Sequence, residues 1–178
     1  MKTIFVLLLL LNWSGTPVSC LTDEELKLYR LINEYRRLKG LPAIALSAKL
    51  SRVAALHARD LAENNPVNDL CNLHSWSDKG NWTPCCYTND HQAAACMWNK
   101  PRELTGYTGD GFEIAYFHSG GATANAALES WKKSEGHHNV IINRGIWQRI
   151  SWKAMGVGIN QRYAVVWFGF EADSEHCD

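Results

Sequence analysis

The sequence predicts an α+β fold in which helices pack on a small, mainly antiparallel sheet. Three observations predict it: two segments of helical apolar spacing open the chain, a third follows residue 120, and two strand-like runs around a polar turn close it. The 178 residues suffice for one domain with a sizeable core.

The first helix begins at Thr22, which forms a capping box with Glu25, Leu21 and Leu26 standing as the hydrophobic staple. Leu28, Leu31, Ile32, Tyr35 and Leu38 recur at helical spacing; Gly40 suits a C-cap, and Pro42 prevents continuation. A second helix starts near Ser47, with Leu50, Val53, Ala54, His57 and Leu61 on its apolar face and Pro66 beyond its end. In that company His57 reads as a core histidine. Residues 66–111 read as a loop, rich in Asn, Asp, Gly, Trp and Cys, and so long a loop needs a staple. "GFEIAYF" is strand-like, and a third helix from about Thr123 presents Ala124, Ala127, Leu128 and Trp131 to a core. The end reads as a hairpin: "MGVGI", a turn at Asn160-Gln161-Arg162, then "YAVVWFGF", apolar on both faces as a doubly covered strand should be.

Lysine plus arginine total 18 and aspartate plus glutamate also total 18, so no basic footprint exists for a nucleic acid or an acidic membrane. "MKTIFVLLLLLNW" carries one lysine before an apolar run too short to cross ~30 Å of hydrocarbon. Val18 and Cys20 take the minus-three and minus-one positions if cleavage falls before Leu21. Residues 1–20 thus read as a signal peptide, and 21–178 as a single domain without a transmembrane segment. Alternatively, Cys20 in "PVSC" is the lipidated first residue of a lipoprotein. Either reading makes the protein secreted or extracellular.

Export changes how the cysteines are read. Cys71, Cys85, Cys86 and Cys96 fall in the 66–111 segment without the close C-x-x-C pairs of a zinc site, so disulfides explain them better. A bridge between adjacent Cys85 and Cys86 would strain the peptide between them. Two connectivities remain within the segment, with Cys177 as a further partner.

These motifs together resemble the CAP superfamily, the cysteine-rich secretory, antigen 5 and pathogenesis-related proteins, in its short bacterial-type, SCP-like form. "LINEYRRLKGLPAIALSAKLSRVAALHARDLAENN" is similar to the family's opening helices, and "GFEIAY" to its "GENIAY". "ESWKKSEGHHNVI" resembles "W..S.GH..NIL", "MGVGINQRYAVVWFGF" resembles the closing hairpin, and "LHSWSDKG" resembles the segment with the first cleft histidine. The resemblance implies a three-layer α-β-α sandwich around a cleft where two histidines and acidic residues hold a divalent ion in many members, often zinc. Carried over, the histidines are His74 and His137, the metal ligands, and the glutamate is Glu113, the candidate catalytic residue. The sequence departs from the pattern twice. Asn139 follows His137 by two residues instead of three, which leaves His138 as the alternative cleft residue. Ser134, with Glu135 beside it, stands where many members carry a second glutamate.

Two imidazoles fall short of the three protein ligands typical of catalytic zinc, so water would complete the coordination. Glu113 could then act as a general base on that water or orient an imidazole. Two functions follow. The first is an extracellular binding module for a lipid, sterol, peptide or protein. The alternative is a secreted metal-dependent hydrolase using His74, His137 and Glu113. A Ser134–His137 nucleophile pair lacks an orienting acid.

Overall fold

The computed structural model describes residues 20–175. Residues 1–19, nearly all of the segment read from the sequence as a signal peptide, and also His176 and Cys177, lie outside the described residues. Cys20 itself is disulfide-bonded.

Helix α1, Asp23–Leu38, starts as its capping box requires: Thr22 Oγ1 accepts from Glu25 N at 3.3 Å, and Glu25 Oε2 accepts from Thr22 N at 2.8 Å. It ends at Lys39 and the left-handed Gly40 (φ 75°). Strand β1, Ala45–Leu46, leads into α2, Ala48–Asn64, capped by Ser47 Oγ accepting from Leu50 N at 3.0 Å. Two short helices follow, α3 (Ala94–Trp98) and α4 (Lys100–Thr105). Strand β2 is Phe112–Phe117, and α5 is Ala124–Lys133 with Thr123 as its N-cap. Helix α6, Glu135–Ile141, begins after a break at Ser134. Strands β3 (Ala154–Asn160) and β4 (Tyr163–Gly169) form the closing hairpin.

Two expectations need correction. The sheet, in the order β1-β3-β4-β2, is mixed rather than mainly antiparallel, because β1 runs parallel to β3 while β3–β4 and β2–β4 are antiparallel. A two-residue strand is too short to leave an alternation in the sequence. Residues 66–111 are not all loop either; α3 and α4 have five and six residues, less than two turns, so no apolar period marks them.

Helices cover both faces of the sheet. Along β4, Ala164, Val166 and Phe168 join the core under α1, α5 and α6, while Tyr163, Val165 and Trp167 join the core under α2. This alternation is why the last run is apolar throughout. Gly156 and Gly158 let α2 lie directly on β3: a Cβ on either would meet helix main chain, at 2.1 Å from the Leu50 carbonyl carbon and 2.3 Å from that of Ala54.

The cysteine-rich segment is stapled by Cys71–Cys86 and Cys85–Cys96. The first closes the loop that carries His74; the second ties that loop to α3. Under the entropic model a loop of about 15 residues gives ~3 kcal/mol. Reduction should therefore release residues 71–98 before the helical cores melt, detectable by hydrogen exchange as early loss of protection there. Simultaneous loss across α1, α2 and the sheet would contradict this.

Candidate functional site

A cleft of about 510 Å³ opens along β2, with Met97 and Trp98 of α3 on one side and His137 and Val140 of α6 on the other. Its volume is in the range of small-ligand sites. His74, Phe112 and Glu113 also line it. The sequence therefore brings together His74, Glu113 and His137 at one place, although 63 positions separate the two histidines.

Each is positioned by its local structure. His74 sits in an Asx-turn, its N–H donating to Asn72 Oδ1 at 3.0 Å, inside the Cys71–Cys86 loop. Its ring meets Tyr87 edge-on, centroids 5.2 Å apart, and its Nδ1 is 2.8 Å from Glu113 Oε2. His137 is half-buried on α6. That helix is held to α1 by buried Arg36, whose Nη1 donates to Ile141 O at 2.6 Å and to Asn143 Oδ1 at 2.7 Å. His138 points elsewhere: its Nε2 lies 2.8 Å from the Tyr35 hydroxyl. Neighbouring helical side chains diverge by about 100°, so only one of the pair can enter the cleft. Ser134 occupies the break between α5 and α6, and no hydrogen bond joins it to His137.

The carboxylate of Glu113 lies deeper than the cleft surface. Its side chain is 0% exposed, and its second oxygen, Oε1, is hydrogen-bonded to His57 Nδ1 on α2. His57 Nε2 is 2.9 Å from Ser75 O, and its ring stacks on Trp76 at 4.3 Å. Burial alone would raise the Glu113 carboxyl, but the charge and hydrogen bonds of His57 and His74 outweigh it and hold it below the ordinary carboxylate range. The donors follow from this. A carbonyl only accepts, so His57 Nε2 donates to Ser75, and an ionised Glu113 requires donors from both histidines. His57 thus carries hydrogens on both ring nitrogens. His74 donates through Nδ1, and its Nε2 makes no hydrogen bond among the described residues. Burial, reinforced by nearby His74 and opposed by Glu113, lowers the His137 pKa and keeps that ring neutral near neutral pH.

Glu113 therefore orients His74 instead of reaching a reactant in the cleft. The resemblance carries Glu113 over as the family's glutamate, and that expectation needs correction: "GFEIAY" written under "GENIAY" sets Phe112 against the glutamate and Glu113 against the asparagine. On a strand, a one-residue shift turns a side chain to the other face. The structure has Phe112 and Ile114 facing the α6 side and Ala115 facing the α2 side with Glu113. The coupling of His57 to this carboxylate was hidden in the sequence, where its apolar neighbours marked only burial. His91 was also missed: it lines the cleft with Nδ1 2.9 Å from the Tyr87 hydroxyl.

For a divalent ion, His74 and His137 offer two imidazole donors. Among the described residues no group of three or more His, Cys, Asp or Glu is arranged to hold a metal. The donor set falls short of a catalytic zinc site.

Comparisons place this geometry in a family. The profile of the cysteine-rich secretory protein family, CAP, matches residues 29–162. No curated protein matches the chain. Among solved structures, an extracellular protein containing an SCP domain from Bacillus anthracis str. Ames superposes with a TM-score of 0.58 at 19% identity, over 83% of this chain and 40% of that one. A cysteine-rich secretory protein from Staphylococcus aureus subsp. aureus Mu50 gives 0.53 at 17% identity, over 84% and 39%. An outer surface protein from Borrelia burgdorferi gives 0.56 at 20% identity, over 86% and 98%. The chain spans about two fifths of the first two proteins, and at these identities all three speak for the fold alone. With most of its length covered by the family profile, the chain belongs to the CAP family of cysteine-rich secretory proteins.

Proposed function

We propose that the protein is an exported binding module whose cleft takes a ligand with an apolar body and one polar group. The observation that supports this reading is an uncovered apolar wall beside the histidines: Ile146 is 86% exposed and Trp98 37% exposed, and both line the cleft with His74 and His137. Lipid, sterol, peptide and protein segments share this chemistry. Ligand extraction from exported protein followed by mass spectrometry tests the reading. A recovered ligand should quench Trp98 and Trp147 fluorescence when added back. Trp98→Ala should weaken its binding by about tenfold, the ~1.4 kcal/mol scale of one interface aromatic. Equal affinity in the variant would remove the cleft from consideration.

A second reading, zinc or another divalent cation at His74 and His137, is favoured by the Glu113–His74 bond. A carboxylate on Nδ1 orients the imidazole and strengthens Nε2 as a ligand. His74→Ala or His137→Ala should then abolish zinc uptake in calorimetry, and His138→Ala should leave it unchanged. Zinc uptake that survives both cleft substitutions would defeat this reading. The hydrolase alternative gains least, because both oxygens of Glu113 are occupied and its side chain is fully buried.

Export is proposed from the leader, with a revised boundary. Cleavage before Leu21 would discard Cys20, and a lipid thioether would consume its sulfur, yet Cys20 is disulfide-bonded. A leader ending before Cys20 fits both facts. No helix among the described residues is long and apolar enough to cross a membrane.

A further inference from the structure

Strand β2 closes one side of the sheet, with β4 as its only strand neighbour among the described residues. Its register pairs Phe112 with Phe168, Ile114 with Val166 and Tyr116 with Ala164, and the same register continues into the bond from His118 N to Arg162 O at 2.9 Å. Antiparallel ladders use alternate residues. Phe112, Ile114 and Tyr116 therefore spend their main-chain groups on β4, and Gly111, Glu113 and Ala115 turn theirs outward. Two contacts agree with this parity: Gly111 N donates to Trp98 O at 2.9 Å, and the Trp131 indole donates to Ala115 O at 3.0 Å. Between these two capped positions the N–H and C=O of Glu113 make no hydrogen bond among the described residues. What exposure remains here is main chain, because Glu113 is 6% exposed although its side chain is 0% exposed. This open position lies on the cleft.

We propose that the cleft takes an extended peptide segment, which adds to the β2 edge through a reciprocal pair of main-chain hydrogen bonds with Glu113. The proposal deepens the binding-module reading and rests on it. An outward N–H and C=O on one strand residue is matched by the C=O and N–H of one residue on an added strand, a complementarity that a lipid chain or a sterol cannot supply. The walls then assign side chains. The peptide residue opposite Glu113 points to the same side of the sheet as Glu113, towards His74 and Met97. The residues flanking it point to the other side, where Phe112, His137 and Trp147 wait. The segment recognised is therefore one with large apolar residues at alternate positions and a polar residue between them. The Trp98 and Trp131 contacts each take one main-chain group on either side of Glu113, so the edge favours a short segment over open-ended sheet growth.

The test uses the whole exported protein and a capped hexapeptide, acetylated and amidated, of alternating leucine and threonine. Six singly N-methylated versions accompany it; N-methylation removes one main-chain donor and keeps every side chain. Binding is followed by amide resonances and by tryptophan fluorescence. The expected result is a tenfold or greater loss of affinity from methylation at one position, with its immediate neighbours nearly unaffected, and slowed exchange of the Glu113 amide on binding. Equal affinities across the series, or an unperturbed Glu113 amide, overturn strand addition. If the peptide fails to bind while dodecylphosphocholine still quenches Trp98 and Trp147, the strand proposal falls and the apolar cleft stands. If neither binds, both fall.

Discussion

His57→Ala should destabilise the fold by about 3–5 kcal/mol, the cost of removing one member of a buried ionic pair and leaving the other uncompensated. The ring is fully buried, both of its nitrogens are bonded, and Trp76 loses its stacking partner as well. The pH dependence gives the effect its signature. The Glu113 carboxyl is held below its ordinary value of 4.5 in the fold. It therefore contributes stability that is present above that value and lost as pH falls through the lower folded value. In His57→Ala the opposing cation is gone and burial favours the protonated acid, so the deficit against the wild type should shrink as pH falls below about 4.5. Urea unfolding between pH 7 and pH 3 measures this. A deficit constant over that range would mean that only packing had been lost.

Gly156→Ala should cost on the order of 3 kcal/mol or more, at the upper end of overpacking effects. The added Cβ would lie 2.1 Å from the Leu50 carbonyl carbon and 2.3 Å from Ser51 N. These are main-chain atoms in the first turn of α2, so relief requires the helix to leave the sheet. Because α2 carries His57, the same displacement should loosen the His57–Glu113 bond and perturb the site from a position that never touches the cleft. Chemical denaturation, with the His57 ring resonances as a second readout, checks both parts. A loss below about 1 kcal/mol would show that helix and sheet are less tightly registered than the glycines imply.

Helices α1, α2 and α5 and the hairpin were legible because each carries its own signal. Thr22, Ser47 and Thr123 cap helices whose apolar positions repeat, and "YAVVWFGF" is long enough to show burial on both faces. Strand β1 was not legible, since two residues that pair with a strand more than a hundred positions away leave no local period. The site was half legible. His74, Glu113 and His137 come from motifs with fixed spacing, and the structure gathers them on one cleft. Their roles depend on contacts that spacing does not encode. Whether a histidine on an apolar helix face is inert or meets a carboxylate is decided by what lies across the packing interface, here Glu113 for His57. The choice between His137 and His138 likewise rests on Tyr35, 103 positions from His138, taking the second ring. The open edge at Glu113 was invisible because sheet order, not sequence, decides which strand lacks a neighbour.

The site stands or falls on one arrangement: His57 and Glu113 together fix His74 so that its Nε2 faces the cleft. Long-range proton–nitrogen NMR correlation of the histidine rings at neutral pH tests it most directly, because it reads which nitrogen carries hydrogen. The expected result is a hydrogen on both nitrogens of His57 and on Nδ1 of His74. A His74 Nδ1 without hydrogen, or a His57 ring with only one hydrogen, would contradict it.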